Sequence, residues 1–159
     1  MPRPATELLV DAALDLLGDV PARVADVGTG SGAVAIAVAL RREHVHVVAT
    51  DTCGKAVALA RANALRHGVS SRVHVVQADL LSGVEGPFDL VLANLPYLPP
   101  GREADFPGDP AAAIVSTGDG LDHYRRLTVQ SAGLLAPGGQ MLIQLDGRVC
   151  ELRADVVAA

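Results

Sequence analysis

The first hydrophobic pattern along the chain has a helical period. Leu8, Leu9, Ala12, Ala13, Leu16 and Leu17 recur at three- and four-residue spacing, which predicts an amphipathic helix over 6–17 that Gly18 ends. A short β-branched run, 23–27, then stops at Gly28 and predicts a strand, and 33–42 predicts a largely apolar helix packed on a sheet. The run 45–50 is nearly all β-branched, as in a strand buried on both faces. A helix over 55–67 closes at Gly68, and a strand over 73–76 runs into Gln77-Ala78-Asp79. Another strand, 89–93, enters Asn94-Leu95-Pro96-Tyr97. Beyond a long Pro- and Gly-rich loop, 98–120, the pattern predicts a helix over 121–135, a turn at Pro137-Gly138-Gly139, a strand over 140–145 and a last helix over 147–159.

Strands alternating with helices in this order predict a single α/β domain over 1–159: a Rossmann-like, open, mainly parallel sheet of about five strands flanked by helices. Residues 1–20 read as a linker and first helix, and 98–120 as a loop of the length that serves as a functional lid. Length agrees, since 159 residues suffice for one domain with a real core and are few for two. With 50% hydrophobic and 19% charged residues the chain is not of the disordered type. Aromatics are 3%, so an aromatic groove stacking successive bases is not expected, and the net charge of −5 disfavours a broad phosphate-tracking surface. Cys53 and Cys150 form no framework, and the His44-x-His46 pair lacks a third ligand nearby, so a reducing cytoplasm and no metal are expected. No stretch reads as a membrane span or signal peptide.

In an open parallel sheet, ligands sit at the carboxyl ends of the strands, so those ends carry the candidate chemistry. The first is Asp26-Val27-Gly28-Thr29-Gly30-Ser31-Gly32. Its glycines let the backbone turn and a ligand approach, and it opens a helix whose N-terminal amides favour negative or polar groups. Asp26, Gly28, Thr29, Gly30 and Gly32 are therefore cofactor-binding candidates, without separating NAD from S-adenosylmethionine. Asp51, about twenty residues past the glycines, suits ribose hydroxyls, and with Thr52 it also suits a helix cap. Asp79 can accept from an adenine amino group while Leu80 packs on the ring, or it is a surface turn residue. At the fourth end, Asn94 offers an amide oxygen and Leu95 its carbonyl, Pro96 stiffens the turn, and Tyr97 supplies a flat face. Together they make a polar clamp for a planar NH2 group.

The glycine loop, the acidic second strand end and Asn94-Leu95-Pro96-Tyr97 together resemble class I S-adenosylmethionine-dependent methyltransferases of the amino-methylating kind. Pro2-Arg3-Pro4-Ala5-Thr6-Glu7-Leu8-Leu9-Val10 is similar to the P-R-P-x-T-E-x-L-V segment of HemK-type protein-glutamine methyltransferases, which act on peptide chain release factors. Gly118-Asp119-Gly120-Leu121, followed by Tyr124, and Leu135-Ala136-Pro137-Gly138-Gly139 fit the same branch. The resemblance implies S-adenosyl-L-methionine as cofactor, held by Asp26, Gly28, Thr29, Gly30, Gly32, Asp51, Thr52, Asp79, Leu80 and Asn94. It places the acceptor amide at Asn94, Leu95, Pro96 and Tyr97, and implies that Arg3, Thr6 and Glu7 can close over the site. Three departures accompany it: Leu95 stands where the family usually has proline, the family's Glu-x-Gly becomes Leu145-Asp146-Gly147, and the chain lacks both a helical docking domain and the last two strands. The partner so implied is a protein such as a release factor. Alternative acceptors are an exocyclic amine of a nucleobase or a small molecule, and a third reading is a non-catalytic cofactor-binding fragment.

Overall fold

The computed structural model describes residues 4–98, 101, 115–116, 118–145 and 148–153. Helix α1 (Pro4–Leu17) leads into β1 (Ala22–Val27), followed by α2 (Ala33–Arg41), β2 (Val45–Asp51), α3 (Gly54–Arg66), β3 (Val73–Gln77), β4 (Phe88–Ala93), α4 (Asp122–Ala132), β5 (Leu135–Leu145) and β6 (Arg148–Arg153). The six strands form one sheet in the order β3-β2-β1-β4-β5-β6, parallel except for the antiparallel β5–β6 pair.

Side-chain alternation along the strands divides the core between the two faces. Leu90, Leu92 and Leu142 pack with Leu9, Val34 and Val57 of α1, α2 and α3. Val91, Met141 and Ile143 pack with Tyr124 and Leu127 of α4. In β2, Val45, Val47 and Ala49 are buried but His46 is exposed and Val48 half-buried, so this strand is fully covered on one face rather than both.

Two sequence expectations change. The pattern from 147 on predicts a helix, whereas residues 148–153 form the antiparallel edge strand β6, which brings the expected sheet of about five strands to six. Val149 and Leu152 are three apart, which suits a helix face. In the strand that odd spacing sends Val149 to one apolar cluster and Leu152 to the other. Pairing with the open edge of β5 outweighs local propensity. Residues 154–159 lie outside the described residues. Pro137-Gly138-Gly139 does not precede the strand but sits inside β5, as an irregularity between the Phe88–Leu135 and Leu90–Gln140 pairs.

Of the long loop, Leu98 and Val115 form an isolated parallel bridge, and the Ser116 N–H donates to the Leu98 carbonyl at 2.8 Å. Among the described residues no helix is long and apolar enough to cross a membrane.

Candidate functional site

The carboxyl ends of β1, β2 and β4 and the turn after β3 surround one cleft of about 600 Å³. Gly28, Gly30, Asp51, Thr52, Asp79, Leu80, Asn94, Leu95 and Pro96 line it, so most of the residues singled out from the sequence come together. Cys53 and Ala56 of the α3 entry and His123 of α4 line it as well. The first two follow Asp51 and Thr52 within a helical turn and were within reach of sequence reasoning. His123 reads as a surface or packing residue from sequence, because nothing local ties it to a site 29 residues away at Asn94.

Asp26, Thr29 and Gly32 form the loop's foundation rather than the cleft lining. The buried Asp26 Oδ2 accepts from the Thr29 hydroxyl at 2.6 Å and from the Ala35 N–H at 3.1 Å, supplying the cap that the N-terminus of α2 lacks at Gly32. Burial pushes its carboxyl up from 3.8 to about 6, against the pull of those two hydrogen bonds. Gly32 has φ +84°, and a Cβ there would lie 3.2 Å from the Ala60 Cβ, so the residue serves the approach of α3 to α2.

Asp51 joins the foundation to the lip. Its Oδ2 accepts from the Gly30 N–H and its Oδ1 from the Cys53 N–H, both at 2.9 Å. Two amides thus fix the carboxylate toward the cleft, and each oxygen keeps acceptor capacity for a further partner. The Gly28 and Thr29 amides both donate to the Thr50 carbonyl at 2.9 Å, which pins the loop to β2.

Helix α4 grips both ends of the cleft. Arg126 forms an ion pair with Asp79, and the Gln130 amide oxygen accepts from the Leu81 N–H at 2.7 Å. Between these anchors Leu80 holds φ +54°, the one non-glycine residue with positive φ among the described residues. A leucine pays for that conformation with strain, of the kind that persists where surrounding bonds over-determine it. At the other end the Tyr124 hydroxyl accepts from the Leu95 N–H at 3.0 Å and lies 2.7 Å from the Gln144 carbonyl and 3.1 Å from the Leu95 carbonyl. Its single proton goes to the nearer Gln144 oxygen, which leaves the Leu95 carbonyl free to accept elsewhere. Burial holds this phenol protonated well above its ordinary range. Asp119 accepts from the Leu121 N–H at 3.1 Å and forms a bidentate pair with Arg125, which keeps its carboxyl below the usual carboxylate range. The Gly118-Asp119-Gly120-Leu121 segment thereby orients the start of α4.

The tetrapeptide 94–97 divides. Asn94 is exposed to the cleft, and Leu95 is buried with its side chain over Gly28, where a Cβ would lie 2.5 Å from the Leu95 Cδ2. Tyr97 is half-buried against the α4-side apolar cluster and does not line the cleft. Thr6 and Glu7 line a separate groove between α1 and α2, and Arg3 lies outside the described residues.

Residues 4–106 match the family model of the methyltransferase small domain. The chain is 42% identical over 153 residues to the release factor glutamine methyltransferase of Deinococcus radiodurans, covering 93% of this chain and 54% of that protein. It is 39% identical to the one from Moorella thermoacetica, covering 91% and 53%. The chain thus spans about half the length of the curated relatives it matches. Among solved structures, the ribosomal protein L11 methylase of Lactobacillus delbrueckii subsp. bulgaricus superposes with TM-score 0.66 at 27% identity, over 89% of this chain and 60% of that one. The RNA methyltransferase of Salinibacter ruber, solved with S-adenosyl-L-homocysteine, superposes with TM-score 0.65 at 20% identity, over 90% and 75%, a likeness of fold.

Proposed function

The chain belongs to the methyltransferase small domain family, and from that premise we propose that it moves a methyl group from S-adenosyl-L-methionine to the side-chain amide of a glutamine in a protein, a peptide chain release factor being the acceptor that its relatives' names support. The observation that carries this reading is the cleft itself, in which the fixed Asp51 carboxylate and the Asp79–Leu80 turn stand at one end and Asn94 with Leu95 at the other. A volume of about 600 Å³ lies within the range of nucleoside-sized sites.

The cofactor fits the donor set. Asp51 would accept from the ribose hydroxyls, Asp79 would accept from the adenine amino group, and Leu80 would pack its apolar side chain on the ring, while Gly28 and Gly30 allow close backbone approach. When bound, the cofactor supplies an electrophilic methyl on a sulfonium.

An amide nitrogen is a poor nucleophile, because its lone pair is delocalised into the carbonyl. Asn94 Oδ1 and the Leu95 carbonyl, which Tyr124 leaves with a free lone pair, accept the two N–H bonds of the incoming amide and aim the nitrogen. Orientation of this kind is worth roughly 7–11 kcal/mol in the best cases. The same acceptors face the positive charge that develops on nitrogen during transfer. No side-chain base is needed to generate the nucleophile. Pro96 rigidifies the clamp, and Tyr97 packs behind it. The net charge of −5 favours a protein over a large RNA as acceptor.

The test is incorporation of labelled methyl into a purified release factor, with the modified residue located by mass spectrometry. Label on a glutamine amide is the expected result. Label found only on nucleic acid or free amines would replace the acceptor, and titration that detects NAD but no S-adenosylmethionine binding would replace the cofactor.

A further inference from the structure

Gln144 is 2% exposed, and neither its Oε1 nor its Nε2 has a hydrogen-bond partner. Among the described residues it is the only side chain with two buried polar atoms that both lack a partner. Buried polar groups are almost always paired, and leaving one idle is costly, so a carboxamide closed to water with both ends free needs an explanation. Packing does not supply it, because a leucine or methionine fills such a space without the desolvation penalty.

Position does. Ile143 pairs with Ala93 in the β4–β5 register, so Gln144 and Asn94 each follow that pair at the cleft end of the sheet, Asn94 lining the cleft and Gln144 standing beside its lining. Parallel neighbours stand about 4.8 Å apart. The backbone of Gln144 belongs to the same assembly, since its carbonyl takes the Tyr124 proton that spares Leu95.

We propose that Gln144 is a specificity-determining residue of the acceptor end, and that its idle carboxamide pairs with the carboxamide of the incoming glutamine. This rests on the glutamine-methylating reading above. A primary amide is self-complementary: Nε2 of Gln144 donates to the acceptor's carbonyl oxygen, and on first docking Oε1 accepts the N–H that passes to the Leu95 carbonyl in the reacting geometry, while Asn94 keeps the other throughout. Donation to the carbonyl oxygen strengthens amide resonance and does not make the nitrogen more nucleophilic. The pairing therefore acts in ground-state recognition and selects acceptors that carry both an NH2 and a carbonyl.

The experiment compares the whole chain with its Gln144→Leu variant, using a purified release factor as acceptor and calorimetric titration of S-adenosylmethionine. The expected result is an acceptor KM raised at least tenfold, a kcat within about threefold of the parent, an unchanged cofactor Kd and a Tm equal to or above the parent's, as removal of recognition without loss of fold requires. Should leucine unfold the chain, Gln144→Met, unbranched and of similar length, carries the same comparison. An unchanged acceptor KM overturns the proposal, and so does a cofactor Kd that rises together with KM, which would assign Gln144 to the fold. A parent chain that binds cofactor but transfers nothing to a release factor refutes the glutamine reading first and this inference with it.

Discussion

The hydroxyl of Tyr124, on α4, accepts a hydrogen bond from the backbone N–H of Leu95, 29 residues earlier, at 3.0 Å. This bond is available only because Leu95 is not a proline, which has no N–H to give. The departure from the family's usual tetrapeptide thus adds a contact between helix and clamp. Tyr124→Phe keeps the ring in its pocket and strands the Leu95 N–H and the Gln144 carbonyl. Stability should fall by about 1–3 kcal/mol, and kcat by tenfold or more, with cofactor affinity nearly constant. Urea denaturation, turnover and titration calorimetry check the three parts. Unchanged turnover would separate Tyr124 from the clamp.

Gly28 and Leu95 form a second link across the cleft. Gly28→Ala places a methyl 2.5 Å from the Leu95 Cδ2, at a residue whose φ is +72°. The variant should lose about 1–3 kcal/mol and bind cofactor more weakly. Leu95→Ala removes the clash, so a double-mutant cycle should show coupling of at least 0.5 kcal/mol. Strict additivity in denaturation midpoints would mean that backbone strain alone sets the cost.

The strand ends were legible in the sequence because each combines a β-branched run with a residue type that has few other reasons to stand there. Asp51, Asp79 and Asn94 reached the cleft on that logic. Asp26 and Gly32 belong to the same motif, yet they act beneath it, and no spacing rule separates a glycine that meets a ligand from one that meets a neighbouring helix. Tyr124, Arg126 and Gln130 were not legible as site residues. Their roles depend on where α4 lands against turns formed 29 to 49 residues earlier, which is a property of packing. The edge strand β6 is not legible in the sequence for a related reason, since its pairing is supplied by β5 and not by its own pattern.

Arg126 holds Asp79 in place at the Asp79–Leu80 end of the cleft. Both side chains are substantially exposed, at 40% and 50%, so the pair adds little to stability, about 0–1 kcal/mol at most. Arg126→Ala should raise the cofactor Kd several-fold while the denaturation midpoint hardly moves. A cofactor Kd equal to the parent's would show that the Asp79 turn keeps its shape without α4.

Asp26 makes stability pH-dependent. Its carboxyl titrates near 6 when folded against 3.8 as the ordinary value, so the folded state binds more protons between those limits. The stability tied to this group is fully present below about 3.8 and is lost as pH rises through 6. An asparagine oxygen can take the same two donors without titrating. Relative to Asp26→Asn, the parent chain should therefore lose about 1–3 kcal/mol between pH 4 and pH 7. Urea midpoints at both pH values test this. A difference that is constant, or that grows in the parent's favour as pH rises, would contradict the buried, burial-shifted carboxyl.

On the proposed reading Asn94 orients an amide nitrogen and contributes little to cofactor affinity. The most direct measurement pairs methyl transfer to a release factor with calorimetric titration of S-adenosylmethionine, on the parent chain and on Asn94→Ala. The variant should bind cofactor within a few-fold of the parent and transfer methyl at least a hundredfold more slowly. Turnover that survives the substitution would contradict that reading.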